Sequence, residues 1–262
     1  MERQYYLIRI QYLGFRYSGW QRQPGQKTVE GMLLKTLKFV LPDRRYKILG
    51  SSRTDAKVSS LDGAFEFFLE GIPISDLTAF QNTFNRNLPP DIRITTITPV
   101  DKEFNIINDS RYKVYHYLFA TAEKLHPFCA PFMACFPGEL DIERMQEGAS
   151  LFEGPHDFGA YTPKSDHLRE LKRTLNSCVL SENTELKASF FPQKSYVLQV
   201  GASGFVRYQV RMIMGALVSL GRGELTRDQI RQSLSDPSSL ELTYIAPGSG
   251  LHLHQLDFKS NS

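Results

Sequence analysis

Arg53, Asp55 and Lys57 alternate through a polar stretch, Gly50-Ser51-Ser52-Arg53-Thr54-Asp55-Ala56-Lys57-Val58-Ser59-Ser60. A guanidinium two residues from a carboxylate lowers the pKa of the acid and keeps a charged oxygen available for chemistry. Taken alone, the same pattern reads as a loop salt bridge or an Asx-turn, because Asp is common in turns. Arg207 and Arg211 are four apart in an apolar run, so in a helix they share a side with residues 214 and 218. A cationic pair on such a helix can hold a buried carboxylate or a phosphate. Arg207 reads equally well as a solvated surface residue. Tyr115 and Tyr117 fall on one face of an alternating strand and His116 on the other. An aromatic stripe of that kind is ordinarily core. His252 and His254 also alternate, but no third ligand sits at suitable spacing, so no metal is expected.

The elements that must position these groups follow from periodicity and punctuation. Residues 5–12 alternate and read as a strand, and residues 13–27, with three Gly and one Pro, as a loop. Thr28 caps a helix through about residue 41, with Val29, Leu33, Leu37 and Val40 on one face, and Pro42 ends it. Strands at 46–49 and 63–69 flank the Asp55 loop. Ser75 is placed as the cap of a second helix burying Leu77, Phe80 and Phe84, and residues 92–98 form a strand after Pro89-Pro90. In the second half, residues 111–120 read as a strand and 125–139, with three Pro, as an irregular insertion. A helix at 141–152 follows, then strands at 175–180 and 186–201, the latter broken near Pro192. Helices at 205–220 and 226–234 and a strand at 251–258 complete the chain. The expected fold is α+β. Two ferredoxin-like β-α-β-β-α-β halves, residues 1–103 and 104–262, have antiparallel sheets joined edge to edge around a central cleft.

At 262 residues the chain is long enough for a sizeable core, and 41% hydrophobic with 23% charged residues is a soluble, globular composition. No apolar run approaches the roughly 20 residues of a membrane span. Residues 1–10 carry charges and no apolar core, so no secretory signal is expected. A net charge of +3 permits a nucleic-acid partner without arguing for one. The three cysteines, Cys129, Cys135 and Cys178, lack CxxC spacing, which speaks against a zinc site or disulfide framework and fits a reducing cytoplasm.

The motifs, taken in order, resemble one family along nearly the whole chain. Arg53-Thr54-Asp55-Ala56 with Val58 is similar to the catalytic loop of the TruA family of tRNA pseudouridine synthases. Tyr17-Ser18-Gly19-Trp20-Gln21-Arg22-Gln23 resembles its N-terminal signature and Tyr115-His116-Tyr117 its Tyr-x-Tyr strand. Residues 205–217 resemble its arginine helix and Gly250-Leu251-His252-Leu253 its last strand. The resemblance implies that Asp55 is the essential aspartate, that Arg211 lies beside it, and that Arg53 helps flip the target nucleotide and fill the stack it leaves. It makes Tyr115 the pocket tyrosine and Leu253 part of an apolar wall, while Lys57 and Arg207 become candidate RNA contacts. It further implies a cofactor-free, cytoplasmic homodimer acting on tRNA or another structured RNA.

The family's Arg-Thr-Asp-Ala-Gly-Val-His-Ala loop is altered here by Lys57, Ser59 and Ser60. Leu13 stands where the signature has Asp, and Phe104-Asn105-Ile106-Ile107 lacks the family's cation. Asp55, Arg53, Tyr115 and Arg211 are retained while residues expected to contact RNA change, which suggests retained isomerase chemistry on an altered RNA target. The sequence also allows two alternatives: an RNA-binding paralogue with little catalysis, and a glycosidase of free nucleosides.

Overall fold

The computed structural model describes residues 2–163 and 171–259. The chain divides into two compact units, one made of residues up to Arg111 with those from Leu253 onward, the other of Tyr112–His252. The first half anticipated for residues 1–103 thus forms the bulk of the first unit, which also holds 104–111 and the C-terminal strand from Leu253 onward.

In the first unit the elements run β1 (Arg3–Tyr12), α1 (Val29–Val40), β2 (Tyr46–Gly50), β3 (Ser59–Glu70), α2 (Leu77–Asn87) and β4 (Ile92–Pro99). This is the β-α-β-β-α-β order that the hydrophobic periodicity predicts. β1 pairs antiparallel with both β3 and β4, and β2 lies antiparallel along Phe65–Leu69 of β3. Alternation in β1 buries Tyr6, Ile8, Ile10 and Tyr12 against Val29, Leu33 and Leu37 of α1 and Phe84 of α2. The Thr28 hydroxyl accepts from Gly31 N–H and caps α1, as expected. α2 corrects the sequence reading by one residue: Asp76, not Ser75, supplies the capping oxygen, to Ala79 N–H. β3 also starts four residues before its apolar run, because Ser59 and Ser60 are buried and Ser60 pairs with Tyr12. A pairing partner, which periodicity does not reveal, extends the strand.

The second half runs β5 (Ser110–Thr121), β6 (Ala134–Phe136), α3 (Ile142–Ser150), β7 (Gly154–Asp157), β8 (Lys172–Glu182), β9 (Tyr196–Ala202), α4 (Gln209–Gly221), α5 (Arg227–Ser235) and β10 (Leu251–Phe258). Within it β5, β9, β8 and β7 are successive antiparallel neighbours. The order β5-α3-β8-β9-α4-β10 repeats that of the first half, with β6, β7 and α5 as additions. Two expectations are corrected. The broken strand at 186–201 shrinks to β9, because the Asn183 side chain clasps Leu186 and Ser195 in a loop instead. The proline-rich insertion contains β6, which pairs parallel with Phe119–Thr121. All three cysteines are free thiols, and burial pushes the Cys178 thiol up.

Candidate active site

Asp55 sits half-buried on the loop joining β2 to β3, with Arg53 and Lys57 exposed on either side of it. The Asp55 carbonyl accepts from Val58 N–H at 3.2 Å, closing a four-residue turn. Its third residue, Lys57, has a φ of 66°, the conformation that turns usually assign to Gly or Asn.

The loop backbone is braced by the stretch that follows β1. Trp20 N–H donates to Thr54 O at 3.0 Å and Lys57 N–H to Tyr17 O at 3.0 Å. Gly14 N–H donates to Ser59 Oγ at 2.9 Å, and the Tyr12 and Thr54 hydroxyls are 2.8 Å apart. The two segments approach so closely that a Cβ on Gly14 would lie 1.9 Å from the Val58 carbonyl oxygen. Gly19, at φ +99°, also passes close: a Cβ there would lie 2.7 Å from the Thr54 carbonyl oxygen. The N-terminal signature is therefore the scaffold of the Asp55 loop.

Asp91 fastens that scaffold. It accepts from Tyr17 Oη at 2.7 Å and Arg16 Nε at 2.8 Å, and its carbonyl takes Leu13 N–H at 2.9 Å. Burial alone would raise the Asp91 pKa, but the hydrogen bonds from Arg16 and Tyr17 outweigh it and hold the acid below the usual carboxylate range. A depressed folded-state pKa contributes stability that is present above the unfolded value of about 3.9 and is lost as pH falls through the folded value. Asp91→Asn is accordingly expected to lower thermal stability at pH 7 and to flatten its fall below about pH 4. Parallel melts from pH 7 to 3 check this, and curves of equal slope would remove Asp91 from the account.

In the second unit Tyr115 is half-buried opposite Val200, with its ring edge-on to Phe205 at 5.2 Å. Tyr117 on the same face is fully buried core and donates to Pro247 O at 2.8 Å. Burial holds its phenol well above the ordinary value. Arg211 lies in the first turn of α4, where its Nε donates to Ala246 O at 2.7 Å and its carbonyl accepts from Ala246 N–H at 3.2 Å. Arg207 does not share the helix as its spacing suggested: α4 starts at Gln209 rather than 205, because Tyr208 adopts φ 61°. The two arginines still converge, their guanidinium carbons lying 4.7 and 5.1 Å from the centre of the Tyr208 ring. Leu253, in β10, is 1% exposed.

Sequence reasoning missed Asp91 and Tyr208. Nothing near Asp91 in the chain marks it, whereas a tyrosine between two arginines was a usable signal for Tyr208.

An α+β chain of two β-α-β-β-α-β repeats, with an Arg-x-Asp loop braced by its N-terminal segment, matches a known group. The family model for tRNA pseudouridine synthase matches residues 149–259. A protein of Thermosipho melanesiensis is 32% identical over 255 residues, covering 97% of this chain and 99% of its own. One from Pseudothermotoga lettingae is 30% identical over 251 residues, covering 95% and 97%. One from Thermosipho africanus is 32% identical over 255 residues, covering 97% and 99%. The chain belongs to the tRNA pseudouridine synthase family. All three of these relatives carry the name tRNA pseudouridine synthase A.

Proposed function

We propose that this chain isomerises uridine to pseudouridine in tRNA, with Asp55 as the reacting carboxylate. The bond from uracil N1 to ribose C1′ breaks, C1′ rejoins through uracil C5, and the C5 proton leaves as N1 gains one. The reaction is redox-neutral. A carboxylate suits a centre with oxocarbenium character, as in glycosidases. The observation that carries the reading is full-length kinship to enzymes of this name, with Arg53-Thr54-Asp55-Ala56 on a loop whose backbone is fixed at several points.

The other roles follow by chemistry. Exposed Arg53 suits the stack vacated by a flipped nucleotide, and half-buried Tyr115 suits stacking on the uracil. Arg211 supplies a fastened guanidinium, Leu253 an apolar wall, and Lys57 and Arg207 exposed cations for phosphate. Homodimer assembly and a cytoplasmic location rest on the family resemblance, and light scattering of the purified chain tests the first. No described helix is long and apolar enough to cross a membrane.

The chain, incubated with tRNA tritiated at uracil C5, should release tritium, and free uridine should not. No release from any cellular RNA would instead support the binding paralogue, which the names of the relatives do not favour. We propose further that Lys57 and Ile107, both exposed, alter which uridine is chosen. Full modification of the family's usual anticodon-stem uridines would end that part. Lys57→Gly relieves a left-handed backbone and should stabilise the protein by about 0.5–1 kcal/mol. It should also raise KM for tRNA and lower the salt dependence of binding by about one counterion. Unchanged salt dependence would make Lys57 a bystander.

A further inference from the structure

Among the described residues, two non-glycine residues have a positive φ, Lys57 and Tyr208, and each adjoins a candidate site group. For a bulky aromatic that conformation is uncommon and unfavourable, and it persists only where the surroundings enforce it. Tyr208 is the N-cap residue of α4, yet its side chain makes no capping hydrogen bond. Capping favours Ser, Thr, Asp or Asn, and a left-handed backbone favours Gly or Asn. Neither local demand explains a tyrosine.

Its ring does. The guanidinium carbon of Arg207 lies 4.7 Å from the ring centre and that of Arg211 5.1 Å, and Arg207 Nη2 donates to Tyr208 Oη at 3.2 Å. Reversing the chain at 208 lets residues on both sides reach one aromatic ring. The ring's negative face offsets the repulsion between the two cations. Arg211 is also tied at Nε to Ala246 O, at 2.7 Å. One hydrogen bond along an edge and one aromatic contact at a face fix a planar group in position and tilt.

We infer that Tyr208 is a positioning residue that sets the plane of Arg211 for the isomerisation. This rests on the reading that Arg211 serves the reacting site. Loss of a fastened site cation typically costs about 100-fold in kcat, so that is the expected effect of Arg211→Ala. Tyr208→Asn accepts the left-handed backbone and lacks the ring. It should lower kcat about 10-fold with KM little changed and a melting temperature at or above wild type. Tyr208→Phe keeps the ring and should stay within about threefold of wild type. In the Arg211→Ala background, Tyr208→Asn should cause no further loss, because both changes remove one function.

The outcomes separate. A folded Tyr208→Asn protein with wild-type kcat, or independent losses that multiply in the double variant, overturns the role of Tyr208 and leaves that of Arg211. Wild-type kcat in Arg211→Ala overturns both. Should Tyr208→Asn fold poorly, Tyr208→Gly accepts the same backbone and gives the same comparison.

Discussion

Asp55→Asn is expected to abolish tritium release from C5-labelled tRNA, with kcat reduced by at least about 10³-fold. The change is close to isosteric. The turn that carries residue 55 is closed through its main-chain carbonyl, to Val58 N–H, so the substitution leaves that bond in place. What disappears is the charged oxygen. A neutral amide can neither attack a carbon centre nor take a proton near neutral pH, whichever of these the acid does. Asp55→Glu is expected to fail as well, because an added methylene moves the charge by more than the tolerance of a placed reacting group. Filter binding of labelled tRNA beside the tritium assay separates lost chemistry from lost substrate. If Asp55→Asn keeps more than about 1% of wild-type kcat, the reacting acid lies elsewhere.

Which parts of this design are readable from the chain depends on how local their causes are. Alternation in residues 5–12 and the Thr28 cap are local, and both appear where expected. The choice between Ser75 and Asp76 turns on which oxygen reaches Ala79 N–H, a difference of one residue that composition does not resolve. The start of β3 depends on pairing to Tyr12, and the loop at 183–195 depends on a single asparagine folding back. The sequence carries the helix on from 205, whereas the left-handed backbone of Tyr208 delays its start to Gln209. In the same way, Arg53 and Asp55 are legible as a motif because they are neighbours. Their support comes from residues 14–20, and Arg16 in turn depends on an acid 75 positions away. Contacts of that range are set by the sheet order, which no short window contains.

That remote support makes Gly14→Ala the most damaging small substitution expected outside Asp55. Gly14 has an ordinary φ, so the cost is steric and not conformational. The added Cβ would lie 1.9 Å from Val58 O, 2.3 Å from Val58 C and 2.9 Å from Lys57 C. These are main-chain atoms of the Asp55 loop, held by hydrogen bonds on both flanks, and they cannot swing aside as a flexible side chain would. Either the loop or the segment after β1 must move, at a cost of about 3 kcal/mol, the upper part of the range for overpacking. Relief by moving the loop displaces Asp55, and a shift of about 1 Å at a reacting group can cost about 100-fold in rate. Gly14→Ala should therefore lower both thermal stability and kcat, with Asp55 still present. Gly25→Ala provides the contrast: Gly25 has φ +70° but nothing within 4 Å of its added Cβ. It should cost about 1 kcal/mol of backbone strain and leave kcat unchanged. Equal kcat for the two variants would mean that the Asp55 loop keeps its shape without the close approach of Gly14.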